Sequence, residues 1–108
     1  MEVDNEESLN HILVTNESVL ALFYASWCPF CRGFLPIFQE QEDRLNCESI
    51  SVNIDDLMNP LWETYDIQVV PTVIYFKKEI VTRRLDGVLG IGLSRQQLET
   101  FLHMIKSD

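Results

Sequence analysis

Two cysteines separated by two residues constrain the fold of this chain more than any other feature. Cys28 and Cys31 follow a nearly continuous apolar run, residues 18–25, and lie at the start of a segment that extends to about residue 44, in which apolar side chains recur at helical spacing. A continuous apolar run predicts a strand that is buried on both faces. The pair is therefore predicted at a strand-to-helix junction, with Cys28 near the N-cap and Pro29 at the first helical position, where its missing N–H is no loss.

This junction gives the two thiols a chemical role. Residues three apart on a helix face each other across roughly 5–6 Å, within the separation that a disulfide tolerates. A thiol at a helix N-terminus also faces the positive end of the helix dipole, which favours the thiolate form. The spacing predicts a reactive pair whose reversible Cys28–Cys31 disulfide serves in place of any separate cofactor.

Composition predicts one globular domain over residues 1–108. The chain is 46% hydrophobic and carries a net charge of −9, which disfavours nucleic acid and anionic membrane as partners. No apolar run approaches the roughly 18 residues that a membrane helix needs. The acidic N-terminal stretch lacks the apolar core of a signal peptide, so we expect a cytoplasmic protein. In the cytoplasm a CxxC pair is more often a redox or metal motif than a structural disulfide.

Periodicity along the chain predicts alternating helices and strands. Helices are predicted near residues 7–14, 29–44 and 60–65 and from Ser94 onward, and strands near residues 19–25, 49–54, 71–76 and 80–86. This order predicts an α/β fold with a mixed central sheet, a C-terminal antiparallel hairpin and helices on both faces. Ser94 opens a capping box with Gln97, and Asn59 caps a helix that begins at Pro60. We expect three glycines to loosen the connection after the hairpin: Gly87, Gly90 and Gly92.

These motifs together resemble the thioredoxin family across nearly the whole chain. Trp-Cys-x-x-Cys followed roughly forty residues later by Val-Pro-Thr ahead of a strand is a specific combination. The resemblance implies the thioredoxin fold, thiol–disulfide oxidoreductase activity, electron transport and a role in cell redox homeostasis. The matching residues are Trp27-Cys28-Pro29-Phe30-Cys31, Pro36, Val52-Asn53-Ile54-Asp55, Asn59-Pro60 and Val70-Pro71-Thr72.

The resemblance also implies roles for individual residues. Cys28 would be the exposed nucleophile that attacks a substrate disulfide, and Cys31 the thiol that resolves the mixed disulfide. Pro71 would be a cis-proline that sets the backbone of Val70 beside the cysteines, where it pairs with an extended substrate segment. Trp27 would shape the surface around Cys28.

Pro29 and Phe30, between the cysteines, would tune the rigidity and the redox potential of the pair. Their combination is nearer the Cys-Pro-aromatic-Cys of glutaredoxins than the Gly-Pro of most thioredoxins, so the sequence leaves the redox direction open. The implied partners are protein or small disulfide substrates and a disulfide reductase as electron donor. The protein is expected to be a monomer.

The chain departs from the family pattern at a buried charge pair. The acid that usually lies six positions before the first cysteine is Leu22 here, and the lysine that usually pairs with it aligns with Ser51. Losing both is physically coherent, because one buried charge alone is costly. The N-terminal strand of the family looks missing or very short, and Lys78 or Glu79 replaces the glycine of the hairpin turn.

Two alternatives remain open from the sequence. One is a binding or adaptor module that keeps the fold, with a redox-switch disulfide and weak or no turnover. The other is an oxidase or isomerase in an oxidising compartment. No metal site is predicted, because zinc or a cluster needs about four ligands and Cys47, His11 and His103 lack ligand spacing to the pair; only a cluster shared between two chains stays open. Cys47 is expected to be half-buried, and Asp55-Asp56 to serve turn and cap chemistry.

Overall fold

A computed structural model describes residues 1–106, which form one five-stranded sheet with flanking helices. The strands are β1 (Glu2–Val3), β2 (Ser18–Tyr24), β3 (Glu48–Asn53), β4 (Thr72–Lys77) and β5 (Ile80–Leu85). The helices are α1 (Glu6–Thr15), α2 (Pro29–Gln41), α3 (Leu61–Thr64) and α4 (Arg95–Ile105), with one 3-10 turn at Glu42–Arg44.

The sheet is mixed, with the strand order β1-β3-β2-β4-β5. Strands β1, β3 and β2 run parallel, β4 pairs antiparallel with β2, and β5 pairs antiparallel with β4. The predicted mixed α/β sheet and its C-terminal antiparallel hairpin are confirmed.

Helices cover both faces of this sheet. The connection through α1 crosses the sheet in one direction and the connection through α2 returns in the other, so right-handed crossovers place the two helices on opposite faces. Thr64 Oγ1 of α3 donates to Glu6 Oε1 of α1 at 2.6 Å, and Arg95 of α4 pairs with Glu40 of α2 at 2.6 Å. Thus α3 joins α1 on one face and α4 joins α2 on the other. All of β2 after Ser18 is buried between these layers.

Strand β1 is the element that the predicted order leaves out. Its two residues pair with the middle of β3 at the edge of the sheet. The Tyr24 hydroxyl donates to the Glu2 carboxylate and accepts a 3.4 Å bond from Asn53 Nδ2. Burial, with the Glu2 hydrogen bond second, raises the pKa of Tyr24 to about 12, so its hydroxyl keeps the proton that it donates. Two residues are too few to leave a periodic pattern in a sequence.

Both ends of α1 and α3 lie within one residue of the predicted bounds, whereas α2 ends at Gln41, three residues before the predicted end, and is followed by the 3-10 turn. The capping box is confirmed, with Ser94 Oγ accepting from the Gln97 N–H and Gln97 Oε1 accepting from the Ser94 N–H. The start of α3 is corrected by one residue: Pro60 holds the N-cap position, although the Asn59 side chain still accepts from the Leu61 N–H at 3.0 Å. No helix within residues 1–106 is long and apolar enough to cross a membrane.

The hairpin turn between β4 and β5 has left-handed backbone at two residues that are not glycine. Lys78 has a φ of 52° and Glu79 a φ of 70°. Two-residue hairpin turns of this kind favour asparagine and glycine because a Cβ is disfavoured at positive φ. The missing turn glycine therefore leaves strain in this hairpin.

Candidate active site

The strand-to-helix junction places the cysteines at the start of α2. Cys28 is the N-cap residue, with extended backbone, and Pro29 opens the helix. The Cys28 N–H donates to the Ala25 carbonyl at 3.2 Å, and the Cys28 carbonyl accepts from the Arg32 N–H at 3.2 Å. Both thiols are free, and Cys31 lies in the first turn of the helix.

Cys28 is buried, which corrects the expectation of an exposed nucleophile. Only 6% of Cys28 and 1% of Cys31 is accessible to solvent. The Cys28 thiol donates a hydrogen bond to the carbonyl oxygen of Val70, with 3.6 Å between Sγ and the oxygen. The segment ahead of β4 thus covers the thiol that the helix N-terminus presents.

The protonation of Cys31 follows from its burial. Loss of solvent raises the pKa of Cys31 to about 12, and the hydrogen bond and charge of Cys28 act in the same direction. A backbone hydrogen bond with Ala25 opposes the shift. Cys31 is consequently a thiol at neutral pH, and its proton must leave before its sulfur can attack a disulfide.

The segment that meets Cys28 is closely packed on its other side. The Val70-Pro71 peptide bond is cis, and both residues are buried. A Cβ at Gly87 would lie 2.3 Å from the Pro71 carbonyl oxygen, so only glycine fits there. The Gly87 N–H also donates to Thr72 Oγ1 at 3.4 Å. Gly87 therefore lets the chain after β5 pack directly on the proline segment.

Asp55 holds the loop that leads into the cysteines. Its carboxylate accepts from the Ser26 N–H at 2.5 Å and from the Ser26 hydroxyl at 2.5 Å. These bonds lower the pKa of Asp55 below its usual range. Its carbonyl accepts from Trp27 Nε1 at 3.0 Å. The Trp27 ring is mostly solvent-exposed, so this bond fixes an open aromatic surface next to Cys28.

Phe30 forms a second exposed aromatic surface at the site. It packs against Gly92, where the backbone has a φ of +81° and an added Cβ would lie 2.7 Å from Phe30 Cβ. Glycine is therefore required at position 92 for two reasons: the backbone is left-handed there, and it lies close to Phe30, a residue between the cysteines.

Sequence reasoning missed Asp55, Gly87 and Gly92 as parts of the site. The turn interpretation is right for Asp56, whose Oδ1 accepts from the Met58 N–H at 2.9 Å, but incomplete for Asp55. The expectation of a loosened connection is wrong at both glycines, because each packs against the site. Their partners lie far away in the sequence, and no short motif reports such contacts.

The buried charge pair of the family pattern is replaced by two uncharged residues in contact positions. Leu22 of β2 and Ser51 of β3 are direct partners in the parallel ladder, and both are buried. Phe23 packs on the ring of Tyr65, which follows α3. Because side chains alternate along a strand, Leu22 faces the opposite layer, where α2 carries Cys31. The core of this chain thus offers no carboxylate at Leu22 to take a proton.

The remaining candidate groups stand apart from the cysteine pair. Cys47 is half-buried just ahead of β3, as expected, and burial raises the pKa of its thiol. His11 and His103 are exposed. Within the described part of the chain, no group of three or more His, Cys, Asp or Glu side chains is placed to hold a metal ion.

Comparisons of the sequence with known proteins point to one family. The family model described as Thioredoxin matches residues 1–103. A thioredoxin of Mycoplasmoides gallisepticum is 36% identical over 76 residues, which cover 69% of this chain and 75% of that protein. The chloroplastic thioredoxin Y of Oryza sativa is 34% identical over 101 residues, covering 92% of this chain and 60% of that protein.

Solved structures show the same fold at lower identity. A thioredoxin mutant from Halobacterium salinarum matches with a TM-score of 0.80 at 22% identity, covering 96% of this chain and 88% of that one. Reduced thioredoxin pre-protein from Schistosoma mansoni matches with a TM-score of 0.80 at 24% identity, covering 95% and 94%. These structures establish the thioredoxin fold. The family model and the two relatives, together with the cysteine pair at the start of α2, establish that the chain belongs to the thioredoxin family of thiol–disulfide oxidoreductases.

Proposed function

We propose that this protein reduces protein disulfides, with Cys28 as the nucleophile and Cys31 as the resolving thiol. The observation that supports these roles best is the position of Cys28 at the N-cap of α2, with its sulfur against the Val70 carbonyl and Cys31 one turn further into the helix. Burial raises the pKa of Cys31 and keeps it protonated until the second step.

The reaction is two successive thiol–disulfide exchanges. The Cys28 thiolate attacks one substrate sulfur, the substrate S–S bond breaks, and the other substrate sulfur leaves as a thiolate that takes up a proton. Cys31 then loses its proton and attacks the Cys28 sulfur. The Cys28–Cys31 bond forms as the bond from Cys28 to the substrate breaks, and the second substrate thiol leaves. Two electrons pass to the substrate.

The residues around Cys28 fit the binding of an extended polypeptide. The backbone of Val70 ahead of Pro71 adjoins the nucleophile, so a substrate strand that pairs with it brings its disulfide to Cys28. Approach of a substrate sulfur replaces the contact between Cys28 Sγ and the Val70 carbonyl. Trp27 offers an exposed ring beside this path, held by Asp55.

The uncharged pair Leu22 and Ser51 leaves the resolving step without the carboxylate that the family pattern places there. With Leu22 and Ser51 in place of a charge pair, the Cys31 proton passes to water or to a leaving thiolate. Since the pKa of Cys31 is raised to about 12, this transfer is uphill at neutral pH. Exchange is therefore slow near pH 7 and accelerates as the pH rises.

The proposed setting is the cytoplasm, with the protein acting as a monomer and a disulfide reductase restoring the dithiol. The chain has three cysteines, so Cys47 has no partner within the chain when Cys28 and Cys31 pair, and a free thiol fits a reducing compartment better than an oxidising one. Pro29 and Phe30 are proposed to set the potential of the pair. The adaptor alternative is not favoured, because the family match and the Cys28–Cys31 pair both support an oxidoreductase.

Trapping of mixed disulfides tests these assignments. Cys31→Ser is expected to accumulate a covalent adduct with a disulfide-containing protein such as insulin, which a dithiol reductant releases. Cys28→Ser is the matched control and should form no such adduct, and both variants should lose turnover. Adducts that form on Cys31 in the Cys28→Ser variant would reverse the assigned roles. Full turnover in either variant would contradict the two-cysteine mechanism.

A further inference from the structure

Exposed apolar side chains are concentrated around the cysteine pair. Among residues 1–106, twelve large apolar residues are exposed, and seven of them lie in segments that border the site. Single exposed apolar residues are common, whereas a group of them marks a surface that binds a partner. The seven are Trp27, Phe30, Leu57, Met58, Val88, Leu89 and Ile91.

The first of these segments is the loop after β3 that contains Asp55, the residue whose carbonyl binds Trp27. The Asp56 carbonyl accepts from the Asn59 N–H at 3.0 Å and from Trp62 Nε1 at 3.2 Å. The Asp56 carboxylate holds the Met58 N–H. This bonded turn presents Leu57 and Met58 to solvent, and 86% of Met58 is exposed.

The second segment is residues 87–92, a small closed turn after β5. The Val88 N–H donates to the Gly92 carbonyl at 3.1 Å, and the Gly92 N–H donates back to the Val88 carbonyl at 2.7 Å. The ends of the turn pack on Pro71 and Phe30 through Gly87 and Gly92. At its tip Leu89 is 83% exposed. The turn is thus held in shape while its apolar side chains point into water.

We propose that these two loops select client proteins whose disulfide is flanked by bulky apolar side chains in an extended segment. The apolar rim is defined as Leu57, Met58, Val88, Leu89 and Ile91. Its first loop adjoins Trp27 through Asp55, and its second adjoins Phe30 and Pro71 through Gly92 and Gly87. A strand that places its disulfide at Cys28 therefore comes close to both loops. This selectivity rests on the proposed function, because the occupant is defined by the disulfide that it brings to Cys28.

Charge narrows the class of client further. Residues 55–58 and 86–92 contain Asp55, Asp56 and Asp86 but no lysine or arginine, in a chain of net charge −9. Acidic segments are disfavoured beside these carboxylates, whereas neutral or basic segments are not. Small disulfides such as oxidised glutathione carry no flanking apolar side chains for the rim to bind.

Matched substrates separate rim binding from chemistry at the cysteines. Three disulfide probes are compared by kcat/KM: a peptide with leucines flanking its cystine, the same peptide with serines, and oxidised glutathione. The full chain should prefer the leucine peptide. Leu89→Ser/Ile91→Ser and, separately, Leu57→Ser/Met58→Ser should each lower kcat/KM for the leucine peptide about tenfold, as loss of apolar burial predicts. Rates with the serine peptide and glutathione should stay unchanged.

The control variant is Ile80→Ser/Val81→Ser, which removes two exposed apolar side chains of β5 outside the rim. It should leave all three rates unchanged. An equal loss on all three probes in the rim variants, or no loss on any, would overturn the proposal. So would a dimer of the full chain that the rim variants dissociate without a change in substrate preference. If the full chain reduces none of the probes, the proposed function fails instead.

Discussion

Leu22 and Ser51 lie opposite each other in adjacent parallel strands, and both side chains are buried. Family members usually place an acid and a lysine there. The uncharged pair avoids the cost of burying ions, which is several kcal/mol for each group. It also leaves Cys31, whose pKa burial raises to about 12, without a nearby carboxylate at this position to accept its proton.

Leu22→Asp is expected to raise insulin-disulfide reduction near neutral pH and to flatten its pH dependence. The physical reason is that a carboxylate in this position can take the Cys31 proton. Turnover is measured between roughly pH 6 and 9, with Leu22→Asn as the uncharged control of equal size. An unchanged pH profile contradicts the role assigned to the missing acid.

The same substitution should reduce stability, because it buries a charge without a partner. Leu22→Asp alone is expected to lower the free energy of unfolding by about 3 kcal/mol. Leu22→Asp/Ser51→Lys should regain part of this loss, since the two positions are direct neighbours across the strands. Denaturant unfolding measures both, and equal losses in the single and double variants would show that the side chains do not pair.

Alkylation kinetics report directly on Cys31. Because its raised pKa lies above neutral pH, the thiolate fraction should rise about tenfold per pH unit between roughly pH 7 and 10. Iodoacetamide labelling of Cys28→Ser/Cys47→Ser, in which Cys31 is the remaining cysteine, gives this rate by mass spectrometry. A rate that reaches a plateau below about pH 9 means that burial does not govern this thiol.

Gly92→Ala should destabilise the protein more than Gly90→Ala, although both glycines have nearly the same backbone angle. The φ values are +81° and +78°, so the strain of an added Cβ, about 1–2 kcal/mol, is common to both. Only Gly92 meets Phe30, at 2.7 Å, which adds about 1–3 kcal/mol for overpacking. Thermal unfolding of the two variants measures the difference. Equal melting temperatures would mean that Phe30 can move away from the added Cβ without a loss of stability.

Glu79→Gly is expected to stabilise the hairpin by about 1 kcal/mol. Glu79 has a φ of 70°, which a residue with a Cβ adopts at a cost and glycine does not. Glu79→Ala removes the same side chain but keeps the Cβ, so it should gain little. Urea midpoints of the two variants decide the point, and a gain of the same size in Glu79→Ala would assign it to the side chain instead of the backbone.

Asp55→Asn should lower stability at neutral pH, and the deficit should disappear in acid. The bonds from Ser26 lower the pKa of Asp55 in the folded protein, so its contribution is complete above the unfolded value of about 4 and is lost as the pH falls through the folded value. Asp56→Asn serves as the control, because that carboxylate caps only a surface turn. If the stability deficit of Asp55→Asn stayed constant down to about pH 2, it would come from altered hydrogen-bond geometry in the loop and not from the loss of the negative charge.

Sequence patterns predicted the elements because their signals are local. The apolar run of β2, the proline after Cys28 and the capping box at Ser94 each act within a few residues, and each gives the structure observed. Hydrogen bonds between Asp55 and Ser26 join residues 29 positions apart, and Gly87 meets Pro71 only when β5 has paired with β4. Contacts of that kind form only when the whole sheet has assembled, so sequence motifs could not predict the residues that hold the active-site loops in place.

A short series of hydrogen bonds connects strand β1 with the redox site. The Glu2 carboxylate holds the Tyr24 hydroxyl, Asn53 Nδ2 donates to that hydroxyl, and Asn53 Oδ1 accepts from the Asp55 N–H at 2.9 Å. Asp55 in turn fixes the loop before Cys28. An affinity tag that disturbs β1, or a truncation that removes Glu2, therefore acts four hydrogen bonds away from the loop that carries the nucleophile. Rates of purified protein are best compared after the tag has been cleaved.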